Sequence, residues 1–204
     1  MAKTRLTKNE LKKQKEELKR YNQYLPTLML KKQQLQTEIL KLHQAMEAIK
    51  KERAYTKAKL YEWSDVFTEP VGIEKLVKLD KIVTTTGNVA GIDIPVFEKV
   101  LFVEEEYDLE KTPLWVDYGI EAMKKVMIEN ARMEVLRRQD ELVREELRIT
   151  TQRVNLFEKV MIPQAKENIR KIQIYLGDVQ TAAVVTGKIA KEKIQKKSGQ
   201  GQVA

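Results

Sequence analysis

From Leu11 to Phe67 the apolar residues fall on two interleaved seven-residue series. One runs Leu11, Leu18, Leu25, Lys32, Ile39, Met46, Arg53, Leu60, Phe67; the other runs Gln14, Tyr21, Leu28, Leu35, Leu42, Ile49, Thr56, Trp63. Thirteen of these seventeen positions are apolar. Alternating steps of three and four residues sustained over about eight heptads mark the seam of a left-handed coiled coil, because a straight helix drifts off such a repeat. A helix of this kind needs a partner of similar length. The other long helical pattern runs from about residue 114 to residue 196. The predicted fold class is therefore mainly α: a long antiparallel two-helix coiled coil formed by the N- and C-terminal helices, with a small β-hairpin-containing head in the middle of the chain. Leu28, Leu35, Leu42 and Ile49 are seam residues of the first helix, and Val154, Phe157, Ile169 and Ile172 of the second.

The pattern divides the chain into a shaft helix at 1–68, a head at 69–112, a second shaft helix at 113–197 and a disordered polar tail at 198–204. Thr7, with Glu10 three residues on, forms a capping box that opens the first helix. Pro26 removes one helical hydrogen bond, yet the heptad phase passes through it, so a bend held by the partner helix is expected. Lys32 and Arg53 occupy seam positions and reach outward along their aliphatic stems. Pro70 ends the helix, and residues 72–79 are read as a short helix. The β-branched run Lys81–Thr86, a turn over Gly87–Gly91, Ile92–Ile94 and Glu98–Val103 then form a hairpin, with Pro95 confining its strand to a sheet margin. This hairpin is expected to project from the stem. An acidic connector, Glu104–Glu110, leads to Thr112-Pro113-Leu114, which restarts a helix with proline at an early position. The second seam reads Val126, Met133, Leu136, Val143, Leu147, Val154 and Phe157. It then changes phase and continues at Ile162, Ala165, Ile169, Ile172, Leu176, Val179 and Ala183. The change is read as a four-residue stutter near Met161–Ala165, around Pro163.

Composition agrees with long helices: 8 Gly, 5 Pro and 33% charged residues leave little material for loops. With no cysteine there are no disulfides or thiolate sites, which fits a reducing compartment. No apolar run reaches the roughly 18 residues of a membrane span, so no direct membrane insertion is expected. The formal charge of +8 is concentrated at the chain ends: residues 1–20 hold eight Lys or Arg against three Glu, and residues 186–204 five Lys against one Glu. Antiparallel pairing would bring these ends together as a basic tip that includes Lys8, Lys12, Lys13, Lys188, Lys191 and Lys193, facing something acidic.

Catalytic chemistry is not evident, and no catalytic residue, cofactor or metal site is assigned. His43, the only histidine, has no Cys with which to build a zinc set or a nucleophile pair, and reads as a helix-surface residue. Gly187-Lys188 lacks the leading glycine and the following Ser or Thr of a phosphate-binding loop. The Glu104–Glu110 run lacks calcium-loop spacing. Trp63 and Trp115 are read as packing residues at the two stem–head junctions.

Three stretches resemble the D-subunit family of V-type and A-type rotary ATPases. Thr151-Gln-Arg-Val-Asn-Leu-Phe-Glu-Lys-Val-Met-Ile-Pro163 is similar to the family signature RRVNALEKVVIP. Thr7–Leu18 resembles its T-x-x-E-L-x-x-x-K-x-x-L run, and Leu28–Leu35 resembles LLKxKRDEL with Gln33-Gln34 in place of the usual charged pair. Residues 70–112 match no such motif, and Val185–Lys191 stands where an acidic run is usual. The resemblance, bacterial in type, implies a non-catalytic rotor shaft. Its partners would be the catalytic A and B subunits of a hexamer, the small central-stalk F subunit and the rotor C/d subunit that caps the membrane ring. Its location would be cytoplasmic and peripheral to the membrane, and its role to couple ATP hydrolysis or synthesis to ion transport, including hydrogen ion transport. A first helix about 90 Å long, at 1.5 Å per residue, has the reach to cross such a hexamer.

Two other classes remain open on sequence alone. A basic coiled coil that binds nucleic acid would show salt-dependent affinity for random DNA; sparse aromatics and Lys in place of base-reading Arg at the tip argue against it, and no nucleic-acid partner is assigned. A dimeric coiled-coil adaptor would self-associate through the same seam, whereas an intramolecular hairpin is monomeric.

Overall fold

The computed structural model describes residues 5–61, 76–105, 112, 113 and 115–200 of the chain. Helix α1 runs Lys8–Tyr61, strands β1 and β2 run Val77–Val89 and Ile92–Glu104, and helix α2 runs Trp115–Leu156. A π-helical segment, Phe157–Met161, joins α2 to helix α3, Ile162–Gln200. Two compact units are formed, one by residues 1–29 with 152–204, the other by residues 30–151. Phe67, Pro70, residues 72–75, Trp63, most of the acidic connector and residues 201–204 lie outside the described residues. The backbone of α3 continues beyond 197 to Gln200, three residues into the expected tail.

Helix α1 opens as its capping box requires: the Glu10 amide donates to the Thr7 hydroxyl at 3.3 Å, and the Leu11 amide to the Thr7 carbonyl at 3.0 Å. The helix passes through Pro26 without a break. Pro26 and Asn22 are both exposed, so the carbonyl that loses its usual donor faces water, and the Thr27 hydroxyl adds a bond to the Tyr24 carbonyl at 2.7 Å. From Leu11 to Leu60 every position of the two heptad series is buried or half-buried, Lys32 and Arg53 included.

In the unit of residues 30–151, α1 and α2 run antiparallel. Lys31 pairs with Glu146, His43 with Arg144, and Thr56 with Glu129, so rising numbers on one helix meet falling numbers on the other. In the unit of residues 1–29 and 152–204 the same sense holds: Tyr21 meets Phe157, and Gln14 accepts a hydrogen bond from Asn168.

The hairpin differs from its expectation in three ways. Its turn is two residues, not five: Ala90 and Gly91 have φ of 51° and 81°, the double left-handed backbone of a turn that matches the twist of the flanking strands. Asn88 ties it down, accepting from the Gly91 amide at 3.1 Å and donating to Asp93 at 2.8 Å. Val77–Leu79, read as helical, belong to β1, where β-branched and apolar residues pair with Phe102–Glu104. Nor does the hairpin project. Val89, Ala90, Ile92 and Ile94 pack with Leu35, Ile39 and Leu42 of α1 and with Leu136, Leu142, Val143 and Leu147 of α2. Its base, Leu76, Val77 and Phe102, packs with Trp115, Val116, Ile120, Met123 and Met127. Thirteen-residue strands span about 40 Å, as do the 28 residues of α2 from Val116 to Val143, so the sheet lies along the helix. A two-stranded sheet is marginal alone, and this packing supplies its missing layer.

Pro95 explains how the strand is fastened. It pairs with Thr86 within a continuous β2, and its carbonyl accepts a hydrogen bond from the Gln139 side chain of α2. N–H and C=O of one strand residue point to the same edge, so this carbonyl and the missing donor both face away from β1. Bulges at Leu79/Lys81 and Val83/Thr84 add twist, which lets a long ribbon follow a helix.

The phase change in the second seam is one residue, not four. The step from Phe157 to Ile162 is five where the heptad calls for four, and the π-helical segment absorbs the extra residue. The Ile162 amide bonds back five residues to the Phe157 carbonyl. Pro163 follows directly. Its ring would strike the carbonyl four residues back in a tight α-turn, and the wider turn relieves that contact.

Candidate interaction surfaces

The seam residues separate into the two units. Leu35 and Leu42 are buried in the cluster with Val143 and Ile94, while Leu28 and Ile49 are half-buried. Val154 and Ile172 are buried, and Phe157 and Ile169 half-buried. Phe157 packs on Tyr21 with ring centroids 5.3 Å apart and planes tilted by 59°, an arrangement favoured by aromatic quadrupoles. Burial there, aided by Glu17, holds the Tyr21 hydroxyl above its ordinary pKa.

Several polar residues enter the seam that periodicity alone would assign to apolar packing. Thr56 donates to Oε1 of Glu129 at 2.8 Å, and both residues are buried. Oε2 of Glu129 and Nε of Arg53 are buried without a hydrogen-bond partner among the described residues. His43 does more than sit on a surface: its Nε2 lies 2.5 Å from Arg144 Nη2 and 3.4 Å from Asp140 Oδ1, and Arg144 Nε donates to the other Asp140 oxygen at 2.6 Å. Since guanidinium nitrogens only donate, His43 Nε2 accepts in that contact. The result is a polar clasp between α1 and α2.

The basic residues are exposed but do not gather as one tip. Lys8, Lys12 and Lys13 lie on the first turns of α1, and Lys188, Lys191 and Lys193 far along α3. With Gln14 opposite Asn168, the antiparallel register sets Lys8 against residue 174. Lys188 then falls about 20 Å further along α3 at 1.5 Å per residue. Residues 177–195 are exposed throughout, including Val179, Val184, Val185, Ile189 and Ile194, because this stretch runs past the start of α1. The larger charge contrast is between units: residues 1–29 and 152–204 hold 18 Lys or Arg against 7 Asp or Glu, and residues 30–151 hold 20 against 23. Among the described residues no group of His, Asp or Glu is disposed to hold a metal, and no helix is long and apolar enough to cross a membrane.

A family model described as the D subunit of ATP synthase matches residues 10–192. The chain belongs to that family. The D subunit of a V-type ATP synthase from Borreliella burgdorferi is 48% identical over 97% of this chain and 98% of the relative. Those of Chlamydia caviae and Chlamydia abortus are 34% and 32% identical, over 98% and 100% of this chain and 98% and 99% of the relatives. The D subunit is a central-stalk, non-catalytic rotor component of V/A-type ATPases. The stretch Thr151–Pro163 that resembles the family signature spans the end of α2, the π-helical segment and the proline that follows. The motif thus coincides with the place where the seam gains its extra residue.

Proposed function

We propose that this chain is the rotor axle of a V-type ATPase, turning within a hexamer of A and B subunits and joined to the F subunit and to the ring-capping C/d subunit. On this reading it lies on the cytoplasmic side, peripheral to the membrane. ATP hydrolysis in the hexamer drives its rotation, and ion flow drives it in reverse. The observation that carries the reading is the stretch 177–195: a helix with exposed Val184, Val185, Ile189 and Ile194 and the basic Lys188, Lys191 and Lys193, beyond the residues paired with α1. Such a helix is stable when a partner covers its apolar side. The lysines suit long-range attraction to acidic or carbonyl-lined walls, which holds an axle without trapping it at one angle as fitted salt bridges would.

The test is neutralisation of Lys188, Lys191 and Lys193 to Gln. Assembly with A and B subunits should weaken, and its salt dependence should shrink, while the isolated protein keeps its helicity. Unchanged assembly and salt dependence would refute the assignment, as would selective loss of binding to the membrane-side rotor components.

A further inference from the structure

The clasp of His43, Asp140 and Arg144 is short of one bond. Asp140 Oδ1 is closed off from solvent and accepts no hydrogen bond among the described residues, while Oδ2 accepts from Arg144 Nε at 2.6 Å. His43 Nε2, across on α1, lies 3.4 Å from the orphaned oxygen. That nitrogen cannot serve it as it stands. It accepts from Arg144 Nη2 at 2.5 Å, so the ring is neutral with its proton on Nδ1, and Nε2 has only a lone pair to offer. A buried acceptor without a donor is costly, and a proton on Nε2 would supply the donor. Solvent reaches the ring, whose side chain is 49% exposed, but not Oδ1. The other charged groups around the clasp are held elsewhere. On α1, Glu47 pairs with Lys50 at 2.6 Å and Lys41 with Glu38 at 3.1 Å. On α2, Glu141 and Glu145 are held by Arg138 and Arg148 at 2.9 and 2.6 Å. On the hairpin, whose turn packs beside Ile39 and Leu42, Asp93 accepts from Asn88 at 2.8 Å.

We propose that His43 is a proton-operated switch in the α1–α2 contact: the neutral ring accepts from Arg144, and the protonated ring donates Nε2–H to Asp140 Oδ1 while Arg144 Nη2 withdraws. One nitrogen cannot accept and donate at once, so the two contacts exclude each other. A single proton from solvent makes the change. Arg144 keeps its Nε bond to Oδ2, which leaves Asp140 between two cations, with both of its oxygens satisfied. Imidazole is the side chain that changes charge between about pH 5 and 8, a range in which the carboxylate and the guanidinium keep theirs. The switch lies beside the layered core, since Leu42 and Val143, the residues before His43 and Arg144, are buried in one cluster with Ile94 of the hairpin. A change in how His43 is held thus acts at the level where the hairpin docks. The switch stands on this geometry and does not rest on the central-stalk reading.

The test is nuclear magnetic resonance on the full chain, in which a single histidine makes the ring signals unambiguous. With 15N in the imidazole, Nε2 should give the unprotonated signal at about pH 8.5 and Nδ1 the protonated one; at about pH 5 both should carry protons. In the acid form Nε2–H should exchange with water slowly. Asp140→Ala removes the acceptor and should speed that exchange by about tenfold, the scale of one hydrogen bond to a charged group. Arg144→Gln leaves Asp140 in place and should keep the slow Nε2–H. Across the same titration the Asp140 carboxyl 13C signal and the Arg144 side-chain 15N signals should move in step with the ring, and His43→Gln should remove that shared movement. A neutral ring protonated on Nε2 overturns the proposal, as does an acid-form Nε2–H that exchanges as fast in the wild type as in Asp140→Ala. So do Asp140 and Arg144 signals that stay still while the ring titrates, or that move equally in His43→Gln.

Discussion

The two units of this chain solve the same packing problem with different amounts of material. Residues 30–151 pack three elements: α1 and α2 share a seam, and the hairpin lies on both. Helix α2 is consequently buried on more than one face, with Ala131, Val135 and Gln139 covered as well as Met133 and Val143. Among the described residues of 1–29 and 152–204, α1 faces one continuous run made of the end of α2, the π-helical segment and α3, and the buried residues are the single file Val154, Ile162, Ala165 and Ile172. One region gains stability from layered apolar contact. The other keeps most of its surface open and strongly basic, which suits a segment that works against partners more than against itself.

That contrast can be broken most severely at the hairpin turn. Replacing residues 87–94 by a short linker removes Val89, Ile92 and Ile94 from the central cluster. It should destabilise the residue 30–151 unit by about 3 to 6 kcal/mol, taking about 1.5–3 kcal/mol for buried Ile94 and roughly half as much for each of the half-buried Val89 and Ile92. Denaturant melting would measure this, and a loss below about 1 kcal/mol would mean that the hairpin contributes little to that core. Next in size, Leu35→Ala should cost about 2–5 kcal/mol. Ile172→Ala should fall at the low end of the same range, since fewer neighbours surround the cavity it leaves. Equal losses would erase the proposed difference between layered and single-file packing.

The π-helical segment permits a sharper comparison. Deleting Lys159 together with Pro163→Ala restores the four-residue step and should change stability by no more than about 1 kcal/mol. Deleting Arg170 instead throws Ile172 out of the seam and should cost several times that, roughly 3 kcal/mol or more. Circular dichroism melts of the two deletions decide the matter. If both are equally damaging, the extra residue is not what the wide turn absorbs.

The smallest effect is electrostatic. The hydrogen bond from Lys50 and its charge hold Glu47 below the ordinary carboxylate pKa, and Arg148 does the same for Glu145. A depressed folded-state value gives stability that is present above the unfolded pKa and is lost as pH falls through the folded one. Both pairs are fully solvated, so Glu47→Gln with Glu145→Gln should flatten the acid limb of the melting curve slightly below about pH 4.5 and leave neutral pH nearly unchanged. A steep change at neutral pH would show coupling beyond these exposed pairs.

The heptad series of α1 was legible because a two-helix seam imposes one period and little else, so the eleven apolar positions of the series among the described residues identify the buried stripe without reference to anything distant. The capping box at Thr7 and the presence of a hairpin were legible for the same reason: each rests on residues within a few positions of one another. The turn was placed too wide because Gly87 and Asn88 look like turn residues. Gly87 is instead a strand residue beneath Val96, where a Cβ would approach a Val96 methyl to 2.7 Å. What only the tertiary structure decided is where the second faces of elements go. Docking of the hairpin on α2 depends on Gln139, Arg132 and short side chains that read as ordinary polar helix surface. The Glu129–Thr56 contact joins residues 73 apart, which no local pattern can bring together. The choice of a π-turn over a stutter was likewise invisible until the backbone was seen, because a phase shift shows that residues were gained without saying how the chain accommodates them. Local periodicity reports which side of a helix avoids water, and only the assembled fold tells how many neighbours share that task.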